Sequence, residues 1–365
     1  MSENLVAIFV PSMRGGGAEH AMLNLAIGLQ ERGLSVDMLL IRVKGPYLSK
    51  IPPQIRVIDL GALRVLTSLR GLVRYLKKEQ PASLISAIDH ANIVAILANY
   101  LARVNTKIII TVQNTALTIL SKKRKLKIIS ILLLMKIFYS WAYAVVAVSR
   151  AVADDMTNLG VIDRSRIKVI HNPVITPEIK SKSKSNIEHR WLVTRDRPVL
   201  VSVGRLTAQK DFWTLFKALK LILQQRPIRL IILGEGEERE SLEKLSVELG
   251  IEADVDMPGF VDNPYAYMAK ADVFILSSAW EGLPTVLIEA LALGTPVVAA
   301  DCPGGSREIL QAGRLGRLVP VGDQKMLAEA IVATLDEPVR PVDPEALKPF
   351  TQEAVVEKYL ELLKR

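Results

Sequence analysis

The sequence predicts an α/β protein made of two doubly wound parallel-sheet domains. Three observations carry this: the length, a repeated alternation of short β-branched runs with helix-period segments, and one polar interruption between two such series. A chain of 365 residues, 50% of them hydrophobic, can bury two cores of ordinary domain size.

The first series contains the runs Val6–Val10, Val36–Ile41, Ser83–Ile88, Lys107–Val112, Ala144–Val148 and Lys168–Ile170, with helical segments such as Ala18–Arg32 and Ala91–Arg103 between them. Alternation of this kind means βαβ units and a parallel sheet. The stretch Thr176–Pro198 breaks the pattern with a Lys/Ser-rich run, and residues 179–197 are expected to link the domains. The pattern then restarts with Val199–Val203, Trp213–Gln225, Arg229–Leu233, Glu238–Leu249, Val255–Met257, Val273–Leu276, Thr285–Ala292 and Pro296–Ala299. The expected domains are therefore 1–178 and 198–345. After prolines at 338, 341 and 344, residues 346–365 carry the amphipathic segment Gln352–Leu363, expected to pack back on the first domain.

Charge is divided unevenly. Residues 1–175 hold 23 Lys and Arg against 10 Asp and Glu, a balance of +13, whereas the remainder stands at −4. A one-sided excess favours an anionic partner: nucleic acid, an acidic membrane or a phosphorylated substrate. The single Cys302 excludes an internal disulfide, and Met1–Pro11, with its acidic Glu3, has too short an apolar run for a signal peptide; a cytoplasmic protein is expected. Ile128–Val148 has the length of a bilayer span, but Lys136 and Ser140 interrupt it and its end is strand-like, so it is read as a helix running into a buried strand.

Ligands of doubly wound sheets bind outside the carboxyl ends of the strands, and two such domains are expected to face one cleft. After the first strand, Ser12 to Glu19 bring glycines straight into a helix. Backbone at Gly16 and Gly17 would let an anion reach the amides and the positive end of the helix. The spacing is not the dinucleotide fingerprint, and no acidic residue follows Ile41, which excludes a nicotinamide enzyme.

In the second domain, Gly204 precedes Arg205, and Lys210 follows shortly; together these two cations could balance charge on a departing diphosphate. Between two apolar strands lies Glu281 to Ala290. Leu283, Pro284 and Thr285 suit a helix start with free amides, Glu281 precedes that helix, and Glu289 lies within it. Two carboxylates so placed can grip the hydroxyls of a ribose and a hexose.

In these residues the chain resembles the family-4 retaining glycosyltransferases of the GT-B fold, whose two domains are Rossmann-like. The resemblance covers nearly the whole chain. It rests on Gly16-Gly17-Ala18-Glu19, Val148-Ser149, Asn172-Pro173, Gly204-Arg205-Leu206 with Gln209-Lys210-Asp211, Gly234-Glu235-Gly236, Pro258-Gly259-Phe260, and the two glutamates Glu281 and Glu289. It implies that Arg205 and Lys210 neutralise the diphosphate, that Glu281 holds the transferred sugar and Glu289 the ribose, and that the backbone at Gly259 and Phe260 meets the base. The family often has a histidine after the fourth strand; here Asp89 or His90 could take that place, and an N-cap for Asp89 or a surface cap for His90 would be the plain alternatives. His171 is read as structural.

Asp254-Val255-Asp256 fits a metal-binding string, but the resembled fold works without metal. No metal or other cofactor is expected, and no His/Cys cluster offers another site. The basic run Lys122, Lys123, Arg124, Lys125 and Lys127 before an apolar helix suits an anionic bilayer carrying a lipid-linked acceptor. Sparse aromatics and the lack of a recognition motif argue against nucleic acid.

The expected activity is retaining transfer of a sugar from a nucleotide diphosphate, uridine-linked, to a lipid-linked or growing glycan at the inner membrane face. A sugar-nucleotide epimerase or hydrolase of the same fold, and a membrane-peripheral scaffold with a degenerate site, are the competing readings.

Overall fold

The computed structural model describes residues 2–115, 125–339 and 341–364. The chain forms two compact units: residues 1–174 with 349–365, and residues 175–348.

The first unit is built on a seven-stranded parallel sheet in the order β3-β2-β1-β4-β5-β6-β7. Its strands are β1 (Ser2–Val10), β2 (Ser35–Leu40), β3 (Arg56–Asp59), β4 (Pro81–Ala87), β5 (Lys107–Val112), β6 (Ala144–Ala147) and β7 (Ile167–Val169). Both faces of β1 are buried, which is why Leu5 to Val10 read as one apolar run. The C-terminal helix Gln352–Lys364 belongs to this unit, with Val355, Val356, Tyr359 and Leu362 in its core. A Cβ at Gly28, on helix Gly17–Glu31, would stand 2.5 Å from Val356 Cγ2, so only glycine lets the two helices come this close. Gln352 Nε2 donates to Asn24 O at 2.7 Å, and Arg32 pairs with Glu357.

Ile128–Val148 resolves into helix Lys125–Tyr139 followed by β6, as a helix running into a buried strand. Among the described residues no helix is long and apolar enough to cross a membrane. Of the expected membrane-docking residues, Lys122, Lys123 and Arg124 lie outside the described residues. Lys125 and Lys127 open the helix, with backbone alone described.

The second unit carries a six-stranded parallel sheet in the order β10-β9-β8-β11-β12-β13. Its strands are β8 (Val199–Val203), β9 (Arg229–Leu233), β10 (Val255–Gly259), β11 (Val273–Leu276), β12 (Val297–Ala300) and β13 (Arg317–Val319). Leu200, Phe212, Phe216, Leu219, Ile232 and Ile275 belong to its core. Each such side chain contributes roughly 1.5–3 kcal/mol by leaving water.

Residues 179–197 are not the linker that their composition suggests. They hold most of helix Pro177–Ser183 and all of helix Arg190–Thr194, and they bury Ile179, Ile187, Trp191 and Leu192. Asn263 Nδ2 donates to Lys182 O at 2.8 Å, and Trp191 lies between the guanidinium groups of Arg190 and Arg229, 5.1 and 5.0 Å from its ring. Four apolar anchors spaced among lysines and serines are enough to fold the stretch onto the second unit, so the boundary falls at 174/175.

Candidate functional site

In both sheets the strand order reverses beside the first strand, β1 in one unit and β8 in the other. Loops leaving the carboxyl ends of the strands that flank such a reversal are the usual ligand sites.

In the second unit those strands are β8 and β11, and they deliver Lys210 and Glu281. Lys210 Nζ donates to Glu281 Oε1 at 2.6 Å, and Ser278 Oγ donates to the same oxygen at 2.7 Å. Glu281 is only 6% exposed, so this pair is held largely away from water. Further bonds stitch the two loops together. Ser277 Oγ donates to Lys210 O at 2.7 Å, Gln209 Nε2 to Trp280 O at 2.9 Å, and the Ala279 amide to Gln209 O at 2.8 Å.

The loop after β12 closes on the same point. The Glu281 amide donates to Pro303 O at 3.0 Å, and Gly304, at φ +136°, lies so close that a Cβ there would stand 2.1 Å from Glu281 O. No other residue fits that position without moving the backbone that carries the glutamate.

Gly204 follows β8 directly, and its amide donates to Leu233 O. Arg205 beside it is exposed and has no hydrogen-bond or ion-pair partner among the described residues. The two cations are therefore in different states: Lys210 is engaged by a carboxylate, and Arg205 is uncommitted.

Helix Thr285–Ala292 starts with Pro284 at its N-cap and buries Leu283 just before it. Glu289 lies one turn from the C-terminal end of this helix, 4% exposed, and its carboxyl has no hydrogen-bond partner among the described residues. Burial lifts its carboxyl to about 7, because a charge there loses its water and gains nothing in return. Gly259 closes β10, and Phe260 beyond it is 49% exposed, an unpartnered ring at a strand end. Cys302 is a poor nucleophile: burial pushes its thiol up to about 11.

Asp254 and Asp256 are each committed to a nitrogen group of their own unit. Arg197 Nη1 lies 3.0 Å from Asp254 Oδ1, and His189 Nε2 lies 2.9 Å from Asp256 Oδ2. These pairs tie β10 and the turn before it to segment 179–197. Among the described residues no group of three or more His, Cys, Asp or Glu could hold a metal.

The first unit places its candidates after the neighbouring strands β1 and β4. Gly16 is the N-cap of helix Gly17–Glu31, but its amide is not free for an anion as expected: it donates to Glu19 Oε2 at 2.6 Å. Ser12 Oγ donates to the other Glu19 oxygen at 3.3 Å. A carboxylate three residues into the helix thus takes the place an anionic ligand would have had. Gly17 follows as the first helical residue.

Asp89 is the first residue of helix Asp89–Ala102 and does not stand at its N-cap; that position is Ile88, at φ +82°. A β-branched residue there is strained by about 1–3 kcal/mol, a cost found most often beside functional groups. His90 follows, exposed. His171, half-buried, packs its ring 4.7 Å from Phe350.

Two features are not visible in the sequence. Ser278 lies in a run of small residues that reads as loop, and only its bond to Glu281 reveals it. In the first unit the buried Asp37 receives Arg56 Nε at 2.8 Å and Tyr75 OH at 2.6 Å, a structural network that joins β2, β3 and helix Leu69–Glu79.

Comparison with known proteins agrees with this geometry. The family described as Glycosyltransferase Family 4 matches residues 15–178, and Glycosyl transferases group 1 matches residues 183–353. The chain is 30% identical over 69% of its length to an uncharacterized glycosyltransferase of Methanocaldococcus jannaschii, and the match spans 63% of that relative, less than two thirds of it. It is 26% identical to the N-acetylgalactosamine-N,N'-diacetylbacillosaminyl-diphospho-undecaprenol 4-alpha-N-acetylgalactosaminyltransferase of Campylobacter jejuni, over 91% of this chain and 90% of the relative. The Anabaena protein HepE, solved in complex with UDP-glucose, superposes with a TM-score of 0.81 at 21% identity over 99% of each chain, which shows a shared fold. With two Rossmann-like parallel-sheet units and a family match to each of them, the chain belongs to the family-4 glycosyltransferases of the GT-B fold.

Proposed function

We propose that the chain transfers a hexose, with retention of configuration, from a UDP-sugar to a lipid-linked or growing glycan at the cytoplasmic face of a membrane. The observation that carries the reading is the largely buried Lys210–Glu281 pair at the strand reversal, with the uncommitted Arg205 on the same loop as Lys210. Departure of a diphosphate is eased by fixed positive charge at the oxygens that gain charge. Arg205 supplies a fork of donors, and the Lys210 ammonium keeps two of its three N–H groups beyond the one given to Glu281. Glu281 then orients the sugar, Glu289 accepts the ribose hydroxyls, and Phe260 stands beside the base. Neutral, well-aligned hydroxyls suit a carboxyl that burial holds near 7.

Catalysis in this reading is leaving-group stabilisation and positioning, without metal. Support comes from Asp254 and Asp256, the aspartate pair with metal-binding spacing, each of which already has a partner in its own unit. The UDP-glucose held by HepE supports the donor, and the diphospho-undecaprenol in the name of the Campylobacter relative supports the acceptor class.

Attachment to an anionic membrane is part of the proposal. Leu133, Leu134, Ile137, Trp141 and Tyr143 are exposed along and after helix Lys125–Tyr139, with the exposed Lys136 among them. Apolar and aromatic side chains beside lysine are what a protein resting on a bilayer needs, and the first half of the chain carries the +13 balance.

Purified chain incubated with single UDP-sugars, with and without membrane extract, tests the reading. Acceptor-dependent UDP release that persists in chelator is expected. Sugar isomerisation or UDP release indifferent to acceptor would replace it with an epimerase or hydrolase, and complete loss in chelator would remove metal independence.

A further inference from the structure

The two donors on Glu281 converge on one oxygen. Oε1 receives both Lys210 Nζ and Ser278 Oγ, whereas Oε2 has no hydrogen-bond partner among the described residues. A carboxylate held in this way offers a single oxygen to an incoming hydroxyl. Its orientation then depends on whichever donors stay on Oε1 when the ligand arrives.

Lys210 becomes the less fixed of the two donors once its other N–H groups serve the diphosphate. An ammonium is a mobile point charge on a flexible stem, and two phosphates compete with one carboxylate for it. Ser278 differs in each respect. It is fully buried, it sits three residues before Glu281 on the same loop, and its neutral hydroxyl on a short side chain is drawn toward phosphate less strongly than a flexible ammonium is. The neighbouring Ser277 has another task, since its hydroxyl holds the Lys210 carbonyl. The backbone beneath is also secured, through the Glu281 amide on Pro303 O and the close approach of Gly304. The loop is therefore built so that one neutral hydroxyl can keep the carboxylate aligned while its cationic partner changes role.

We propose that Ser278 is the positioning residue for the sugar-holding carboxylate: it keeps Glu281 Oε1 in place when Lys210 is drawn to the donor's diphosphate, leaving Oε2 for a hydroxyl of the transferred sugar. This rests on the proposed UDP-sugar activity.

The test compares wild type with Ser278→Ala and Ser278→Thr in the full chain, using the UDP-sugar that wild type turns over and, separately, UDP alone. Ser278→Ala should lower kcat by about 10-fold or more, the scale of one lost hydrogen bond to a charged group. Its Kd for UDP alone should stay within about twofold of wild type, because UDP has no sugar for Glu281 to hold, and Ser278→Thr, which retains the hydroxyl, should recover most of kcat. Equal losses for UDP and for UDP-sugar would mean that Ser278 merely supports the loop, and would overturn the inference. So would an unchanged kcat in Ser278→Ala while wild type is active. A wild type that turns over no UDP-sugar overturns the donor assignment itself, and this inference with it. Thermal unfolding of each variant separates misfolding from misalignment: if Ser278→Thr proves too bulky to fold, Ser278→Cys gives the graded donor, expected between wild type and Ala.

Discussion

The loops after β1 and after β8 occupy equivalent places in two sheets of the same winding, yet they bind their charged side chains differently. After β1 the chain brings its own acid: Glu19 turns back on the Gly16 amide, and Ser12 braces it. After β8 the chain brings two bases, one left uncommitted and one held by a carboxylate from the next strand. The first loop satisfies its own Gly16 amide, and the second leaves Arg205 uncommitted for the diphosphate proposed above. One fold thus supplies a closed turn in one unit and the proposed phosphate site in the other. What separates them is what the carboxylate holds, the Gly16 amide in one and the Lys210 ammonium in the other, not the glycines they share.

If that contrast is functional, the largest effect should follow removal of Glu281. Glu281→Gln takes away the charge beside the reacting sugar, and kcat should fall by about 10²-fold or more, the scale of one lost electrostatic stabiliser. It also leaves Lys210 half-buried without its partner, so thermal unfolding belongs with the kinetics; a normal melting curve with wild-type kcat would remove Glu281 from the chemistry. Arg205→Ala should come next, with kcat/KM for the UDP-sugar down by about 10²-fold. Since Arg205 has no hydrogen-bond or ion-pair partner among the described residues, its loss should leave Tm where it was. A Tm change without a kinetic one would reverse its assignment.

Glu289 sharpens the comparison through pH. Its carboxyl is raised from 4.5 to about 7 in the folded chain, so between those values the unfolded state has released its proton while the folded state keeps it. Stability must therefore fall as pH rises across that window and level off above it. The drop is on the order of 3 kcal/mol at most, from about 1.4 kcal/mol for each unit of displacement. Glu289→Gln cannot titrate, so its Tm should gain on wild type from about pH 4.5 to about pH 7. If Glu289 holds the ribose as proposed, the amide should hold it less well, and donor KM should rise more than kcat falls. A Tm difference that is flat with pH would mean that the carboxyl is not desolvated.

Most of the frame was legible because buried parallel strands read as continuous apolar runs: β8, β9 and β11 and helix Thr285–Ala292 fall where the periodicity puts them. The strands not foreseen, β3 and β13, are short and lie at the sheet edges, where Arg56, Asp59 and Arg317 dilute the signal. The segment 179–197 misled for a related reason: its lysines and serines outnumber the four residues that bury it. At the site, residue types and order pointed to Lys210 and Glu281 separately, each for its own ligand. Their pairing is a long-range fact that no spacing along the chain encodes, since residues 210 and 281 meet only through the order of the strands, and Ser278, though only three residues from Glu281, joins them through a side-chain orientation that the sequence does not show.

The smallest expected effect concerns the self-satisfied loop, and it tests the other half of the contrast. Glu19→Ala removes the carboxylate from the Gly16 amide and from Ser12, and so undoes a cap at the start of helix Gly17–Glu31. Loss of a cap costs about 1 kcal/mol, which should appear as a drop of a few degrees in Tm. Donor KM and kcat should hardly move, because the Gly16 amide is already taken by Glu19 and the proposed diphosphate grip lies after β8. Two results would break the comparison. A donor KM that falls in Glu19→Ala would mean that the freed amide welcomes phosphate, and that Glu19 screens an anion site shared with the donor. A kcat that collapses while Tm holds would mean that Glu19 itself acts on a substrate, and the loop after β1 would then have to be counted with the loop after β8.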